Sequence, residues 1–306
     1  MKVFDAHFHL LPDAVLRHAS FYNEGWGGVD GHIRSMDDSG VARALISYPT
    51  TDFHLKKGVT ELAAAREYND AANALCKAAE GRLYYLAMVP LTEPLEMIDE
   101  ALRQASEGAS GFSMPTNGNG IYPDSERFLS FFKAADDMGL PVFFHPTTLS
   151  PFGHERLRHP LITPVFQYSF DTSICLARLI DSGLLRVFPG LKLVFSSFGG
   201  VMPFLAGRFD RTYKMLLGRG IVNDMGEDPG ETLKRIYVDT SGAASISILN
   251  LALEVLGPDR LLWGSDFPAN REIKASIEAV NALDISGAAK EKILHLNLEG
   301  LCQGKG

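Results

Sequence analysis

Apolar, β-branched and aromatic residues gather in short runs along this chain, and between the runs apolar positions recur at the three-to-four spacing of a helix with one buried face. Such alternation predicts a parallel sheet whose strands are joined by helices. Eight runs are predicted as strands: 3–9, 42–48, 83–91, 111–114, 141–145, 191–196, 236–239 and 261–264. Helix signals fall between them. Thr60 and Glu61 precede LAAAREYNDAANALCKAAE, which stops at Gly81; Pro94 opens LEMIDEALRQASEG; Asp124, Ser125 and Glu126 open a helix that Gly139 closes. The pattern predicts an α/β protein, a (β/α)8 TIM barrel formed as one domain over 1–306, with its functional groups at the C-terminal rim of the strands. Two connections, 10–30 and 146–170, exceed what a compact βα loop needs and follow strand ends, so they are candidate walls of a site. Phe21, Tyr22, Trp26, Phe152, Phe166 and Tyr168 lie in them and either line a pocket or pack over the barrel mouth.

The strongest chemical feature is DAHFHL in the first strand. Strict alternation places Asp5, His7 and His9 on one face and Phe4, Ala6 and Phe8 on the other. An isolated H-x-H is weak evidence of a metal site and needs partners. PVFFHP brings His145 to the end of the fifth strand, and LLWGSDFP brings Asp266 just past the eighth. Taken singly, His145 fits a backbone-bonded strand-end histidine and Asp266 a helix N-cap. Three imidazoles and a carboxylate at one rim point to a mononuclear divalent-metal site, with zinc the first expectation and manganese, iron or cobalt acceptable to the same donors.

Composition narrows the remaining classes. With 46% hydrophobic and 22% charged residues the chain can bury a large core, and no apolar run is long enough for a membrane helix. A formal charge of −8, with Lys56-Lys57 the one paired basic run, argues against a nucleic-acid partner. Cys76, Cys175 and Cys302 form no C-x-x-C pair, which argues against a disulfide framework or zinc ribbon. The first strand begins almost at the N-terminus, leaving no room for a secretory leader, so the cytoplasm is the expected location.

DAHFHL, REYNDAANAL, GRLYYLAMVPL, GLPVFFHP, FPGLKLVFSSFGG, IYVDTSG, DRLLWGSDFP and HLNLEGL together resemble the amidohydrolase-related family, in the branch of aminocarboxymuconate-semialdehyde decarboxylase, γ-resorcylate decarboxylase and several ring-fission hydrolases and hydratases. The resemblance covers nearly the whole chain and implies that His7, His9, His145 and Asp266 hold the metal. One departure stands out: Ser197, in FSSFGG, occupies the place of a family histidine that orients or deprotonates metal-bound water or steadies substrate. A serine hydroxyl has no useful basicity near neutral pH, and removing such an acid–base group typically costs about 10²–10⁴ in rate. His54, His154 and His159 are candidates to replace it, with solvated loop positions as the alternative. Ser197 as a nucleophile is disfavoured because the motif is not G-x-S-x-G. GASGFSMP offers no lysine to bridge two ions. Asp5 supports a ligand or satisfies backbone donors, and Asp239 is functional or purely structural. Arg208 is the candidate substrate-binding cation, with Arg211 beside it and an exposed helix arginine as the alternative for both.

The leading expectation is a metal-dependent hydrolase acting through activated water on a small carboxylated or ring-derived substrate, with Asp266 and Ser197 as candidate catalytic positions. The alternative is a non-oxidative decarboxylase of an aromatic or ring-fission acid, in which Asp266 moves a proton to carbon. A catalytically weakened binding barrel, motivated by Ser197, and a metal-dependent nuclease, opposed by the charge, complete the set. The resemblance leaves a homodimer open.

Overall fold

The computed structural model describes residues 2–17, 24–48, 58–242 and 245–303. Strands β1 (Phe4–His9), β2 (Arg43–Ser47) and β3 (Leu83–Tyr85) pair in that order, as do β4 (Ala87–Met88), β5 (Phe112–Pro115), β6 (Val142–His145), β7 (Leu193–Phe195), β8 (Tyr237–Asp239) and β9 (Leu261–Leu262). Every pairing is parallel.

The expected third strand, 83–91, is instead two short pieces. Leu86 N–H bonds Ile46 C=O on one side, while Ala87 N–H bonds Gly111 C=O on the other, so the chain changes neighbour midway. The two sheets are thereby linked at Leu86. Their outer edges meet as well: Ala6 N–H donates to Trp263 C=O at 2.9 Å, His9 N–H to Phe267 C=O at 2.8 Å, and Phe8 bridges Phe267 in parallel. These bonds carry the strand ring from β9 back to β1.

The register of β1 on β2 shifts between Asp5 and Phe8. A bulge there resets the side-chain alternation, which strict parity did not anticipate. Phe4 and Ala6 pack with Leu45, Leu86, Phe143, Val194 and Leu262, residues of strands on opposite sides of the ring that meet only inside it, above Leu298 and Leu301 of the C-terminal helix Asn297–Cys302. His7 and His9, beyond the bulge, face the cavity at the other end.

The helices form where the caps predicted them. Thr60 accepts Ala63 N–H to start Glu61–Ala78, and glycines in the left-handed region close Pro94–Glu107 and Leu129–Met138. The helix expected from Asp124 begins as a tight turn, Glu126–Phe128, before Leu129. The long connections are partly structured: Asp13–Leu16 and Glu24–Trp26 occupy the first, and the second shortens because a π-turn at Thr163–Gln167 runs into the helix Tyr168–Asp181. Phe21, Tyr22, His54, Lys56 and Lys57 lie outside the described residues. Among the described residues no helix is long and apolar enough to cross a membrane, and the cysteines are unpaired.

Candidate metal centre

Three strand ends deliver the expected cluster. His7 and His9 come from β1, His145 from the end of β6, and Asp266 from the turn after β9. One ligand atom from each imidazole lies within 4.8 Å of the others. His7 Nε2 and His9 Nε2 are 3.0 Å apart, and Asp266 Oδ1 stands 3.5 Å and 3.4 Å from them.

The outer nitrogens explain this convergence. His7 Nδ1 donates to Asp239 Oδ2 at 2.8 Å, His9 Nδ1 faces Ser47 C=O at 3.2 Å, and His145 Nδ1 faces Pro146 C=O at 3.1 Å. Each acceptor fixes the proton on Nδ1 and leaves the Nε2 lone pair for the centre. Three such lone pairs with a carboxylate oxygen are the donor set of a divalent cation, so the residues present fit a resident metal.

Burial and charge shape the same groups. Desolvation pulls the His7 imidazole down, but the Asp239 carboxylate overrides it and raises His7 to about 9, so a cation taken up at Nε2 would displace a proton there. Desolvation opposes Asp239 as an anion, yet His7 and donors from Ser241 and Ser197 keep it below the usual carboxylate range. Burial, with neighbouring imidazoles, drives His145 well down and favours its neutral, ligating form. Asp5 lies against the backbone: Oδ1 accepts the N–H groups of His7 and Ser265, each at 3.0 Å, and burial raises its carboxyl to about 7. Gly264 leaves room for His7, since a Cβ there would stand 2.7 Å from His7 Cβ.

The cluster floors a cavity of about 810 Å³. Trp26 and Tyr168 line it, as expected of the long connections, together with His154, Arg158 and His159. Phe152 instead borders a separate apolar groove that also holds Arg208. Arg208 thus lies away from the imidazole cluster, on the exposed side of the helix Met202–Leu217, and Arg158 is the arginine on the cavity wall. Both rim histidines share the cavity with Ser197 and already have local partners. His159 Nδ1 accepts the N–H groups of Leu161 and Ile162, which makes it a cap for the turn that follows; His154 lies 3.5 Å from Glu155.

Ser197 does reach the site. Its oxygen lies 3.2 Å from Ser241 Oγ, and Ser241 Oγ donates to Asp239 Oδ1 at 2.5 Å. A continuous chain therefore runs from Ser197 through Ser241 and Asp239 to His7. Ser197, Phe198 and Asp266 all hold positive φ, of 50°, 62° and 63°. Ser197 and Asp266 line the cavity and Phe198 packs in the core behind it, so non-glycine residues in that region mark a backbone held in place by its surroundings.

Sequence reasoning missed Ser241 and His32. His32 Nε2 faces the His9 carbonyl at 3.2 Å, and its ring packs edge-on to Phe267 with centroids 5.0 Å apart, tying the end of β1 to the Asp266 turn. No local signal marks either role. The wall has its own anchor: buried Asp171 accepts from Thr116, Asn117, Tyr122 and Phe152 N–H, joining the loops after β5 and β6 to the helix Tyr168–Asp181.

The chain is 27% identical over 283 residues to 6-methylsalicylic acid decarboxylase of Penicillium expansum, covering 88% of this chain and 85% of that one. Its fold is similar to that of 5-carboxyvanillate decarboxylase from Sphingomonas paucimobilis, with a TM-score of 0.86 at 21% identity over 99% of both chains. A dihydroxybenzoic acid decarboxylase from a Polaromonas species, solved with bound manganese and the inhibitor 2-nitroresorcinol, gives a TM-score of 0.83 at 20% identity over 98% of this chain and 96% of that one. The amidohydrolase family model matches residues 4–297, and the chain, with its α/β barrel and rim of imidazoles, belongs to that family.

Proposed function

We propose that this protein is a metal-dependent, non-oxidative decarboxylase of a small aromatic carboxylic acid. The observation that carries the reading is that Asp266 and Ser197 line the same cavity. The carboxylate that borders the imidazole cluster is partly open to the cavity, and position 197 presents a hydroxyl where water activation would need a base. That balance favours carbon protonation over hydrolysis, and the decarboxylase names of the relatives support it. The hydrolase reading favoured from sequence therefore gives way to its alternative.

His7, His9, His145 and Asp266 would hold the ion. When bound, a divalent ion supplies positive charge that neutralises and orients an anionic substrate. Its identity is left to the donor set, which accepts zinc or manganese, the latter being the metal in the Polaromonas protein. Arg158 offers a second positive charge on the wall. Asp266 delivers a proton to the ring carbon bearing the carboxylate; the carbon–carbon bond then breaks, its electron pair restores the aromatic ring, and CO₂ leaves. Solvent returns the proton to Asp266. No oxidant or reductant is consumed.

The test is a panel of carboxyl-labelled hydroxybenzoic acids and a matched panel of aryl esters, lactones and amides, offered to manganese- and zinc-loaded protein. Labelled CO₂ with the proton-substituted ring product, abolished by chelation, is the expected result. Hydrolysis of the second panel with no CO₂ from the first would overturn the reading.

A further inference from the structure

The hydrogen-bond chain ending at Ser197 has a direction, and that direction sets what this wall of the cavity offers a ligand. Asp239 Oδ1 accepts the backbone N–H groups of Ser197 at 2.9 Å and Ser241 at 3.0 Å. An oxygen met by two N–H donors carries no proton, so the Ser241 hydroxyl, 2.5 Å away, donates to it. Ser241 has then used its one hydroxyl hydrogen. Ser241 Oγ accepts the Ser197 N–H at 3.2 Å, and with its own hydrogen spent, the 3.2 Å contact between the two serine oxygens is a hydrogen bond with Ser197 Oγ–H as the donor. Ser197 is half-buried in the cavity wall, and with its hydrogen spent on Ser241 its oxygen has only lone pairs left to offer the interior. Gly242 keeps this oxygen approachable: a Cβ there would stand 3.1 Å from Ser197 Oγ.

We propose that Ser197 is a specificity-determining acceptor that selects acids bringing a hydroxyl donor to this wall, with Ser241 as the positioning residue that sets its polarity. The inference rests on the acid-decarboxylase reading and adds a substituent to it. A ligand hydroxyl completes the chain, whereas a methyl ether at the same ring position sets lone pair against lone pair. Loss of one such bond at a partly buried site corresponds to about tenfold in affinity.

The experiment titrates manganese-loaded protein with each monohydroxybenzoic acid isomer and with its methyl ether, reading dissociation constants by calorimetry. At one ring position the hydroxy acid should bind about tenfold more tightly than the ether. Ser197→Ala should erase that difference by weakening the hydroxy acid alone, while a merely structural serine would weaken both ligands alike. Ser241→Ala frees the Ser197 hydrogen and should narrow the gap from the other side, by tightening the ether. Circular dichroism and metal content of each variant establish that it is folded and loaded. Acids that bind with every hydroxy–ether pair indistinguishable, or a preference that survives Ser197→Ala, would overturn the inference and leave the decarboxylase reading standing. Failure of every acid to bind would overturn both.

Discussion

At the residue scale, Asp239 does more for the centre than its place in IYVDTSG announces. Its carboxylate fixes the tautomer of His7 and gathers both ends of the serine chain, so one side chain orients an imidazole of the cluster and a cavity wall. Asp239→Asn keeps the size but loses the charge and one acceptor oxygen, and should lower metal affinity by about 10- to 100-fold while leaving the fold intact. Competition for metal with a fluorescent chelator measures it; unchanged affinity would show that His7 needs no such partner. The candidate ligands themselves were legible in sequence because H-x-H, a strand-end histidine and a Gly-Ser-Asp turn are local patterns. Their supports were not. Asp239 is 232 positions from His7, and the Ser197–Ser241 pair is made by two loops that meet only in the folded ring.

At the element scale, the bulge in β1 matters most. Strict alternation put His7 and His9 on one face, and they do line one cavity, but it assigned Phe4 and Ala6 to the opposite face, whereas they fill the interior beneath the site. A shift of register leaves no mark in a six-residue run of mixed chemistry. Cap signals were more informative, since Thr60, Gly108 and Gly139 act through bonds within a few residues. The helices Glu61–Ala78 and Pro94–Glu107 are joined through buried Glu100, which accepts from Asn69 at 2.8 Å and Arg103 at 2.7 Å. Burial opposes the Glu100 charge, yet Arg103 and Asn69 hold its carboxyl below the usual range. Glu100→Gln should destabilise the protein by about 2 kcal/mol near neutral pH. Because the folded carboxyl is the stronger acid, this contribution is full above the ordinary glutamate range and is lost as pH falls through the depressed folded value. Urea unfolding of both proteins across that window checks it, and a gap independent of pH would assign the loss to packing.

At the scale of the whole molecule, alternating strands and helices made the α/β barrel legible, and the ring of backbone bonds from β9 to β1 accounts for the gathering of residues as far apart as His7 and Asp266. The expected strand 83–91 divides because one segment must serve two neighbours, a demand of closure that composition does not carry. Reaction type was the least legible property. The donor set serves hydrolysis and decarboxylation alike, and only the hydroxyl at Ser197, together with the relatives, tips the balance.

Everything proposed for the cavity depends on the convergence of His7, His9, His145 and Asp266. Metal content per chain, measured by mass spectrometry on protein loaded with manganese or zinc and then freed of loosely held ions, tests it most directly. The account predicts about one ion per chain in the native protein, in keeping with a single donor set, and near-background content in His7→Ala and His145→Ala variants that remain folded. A native protein that retains no ion, or folded variants that retain it in full, would contradict the account.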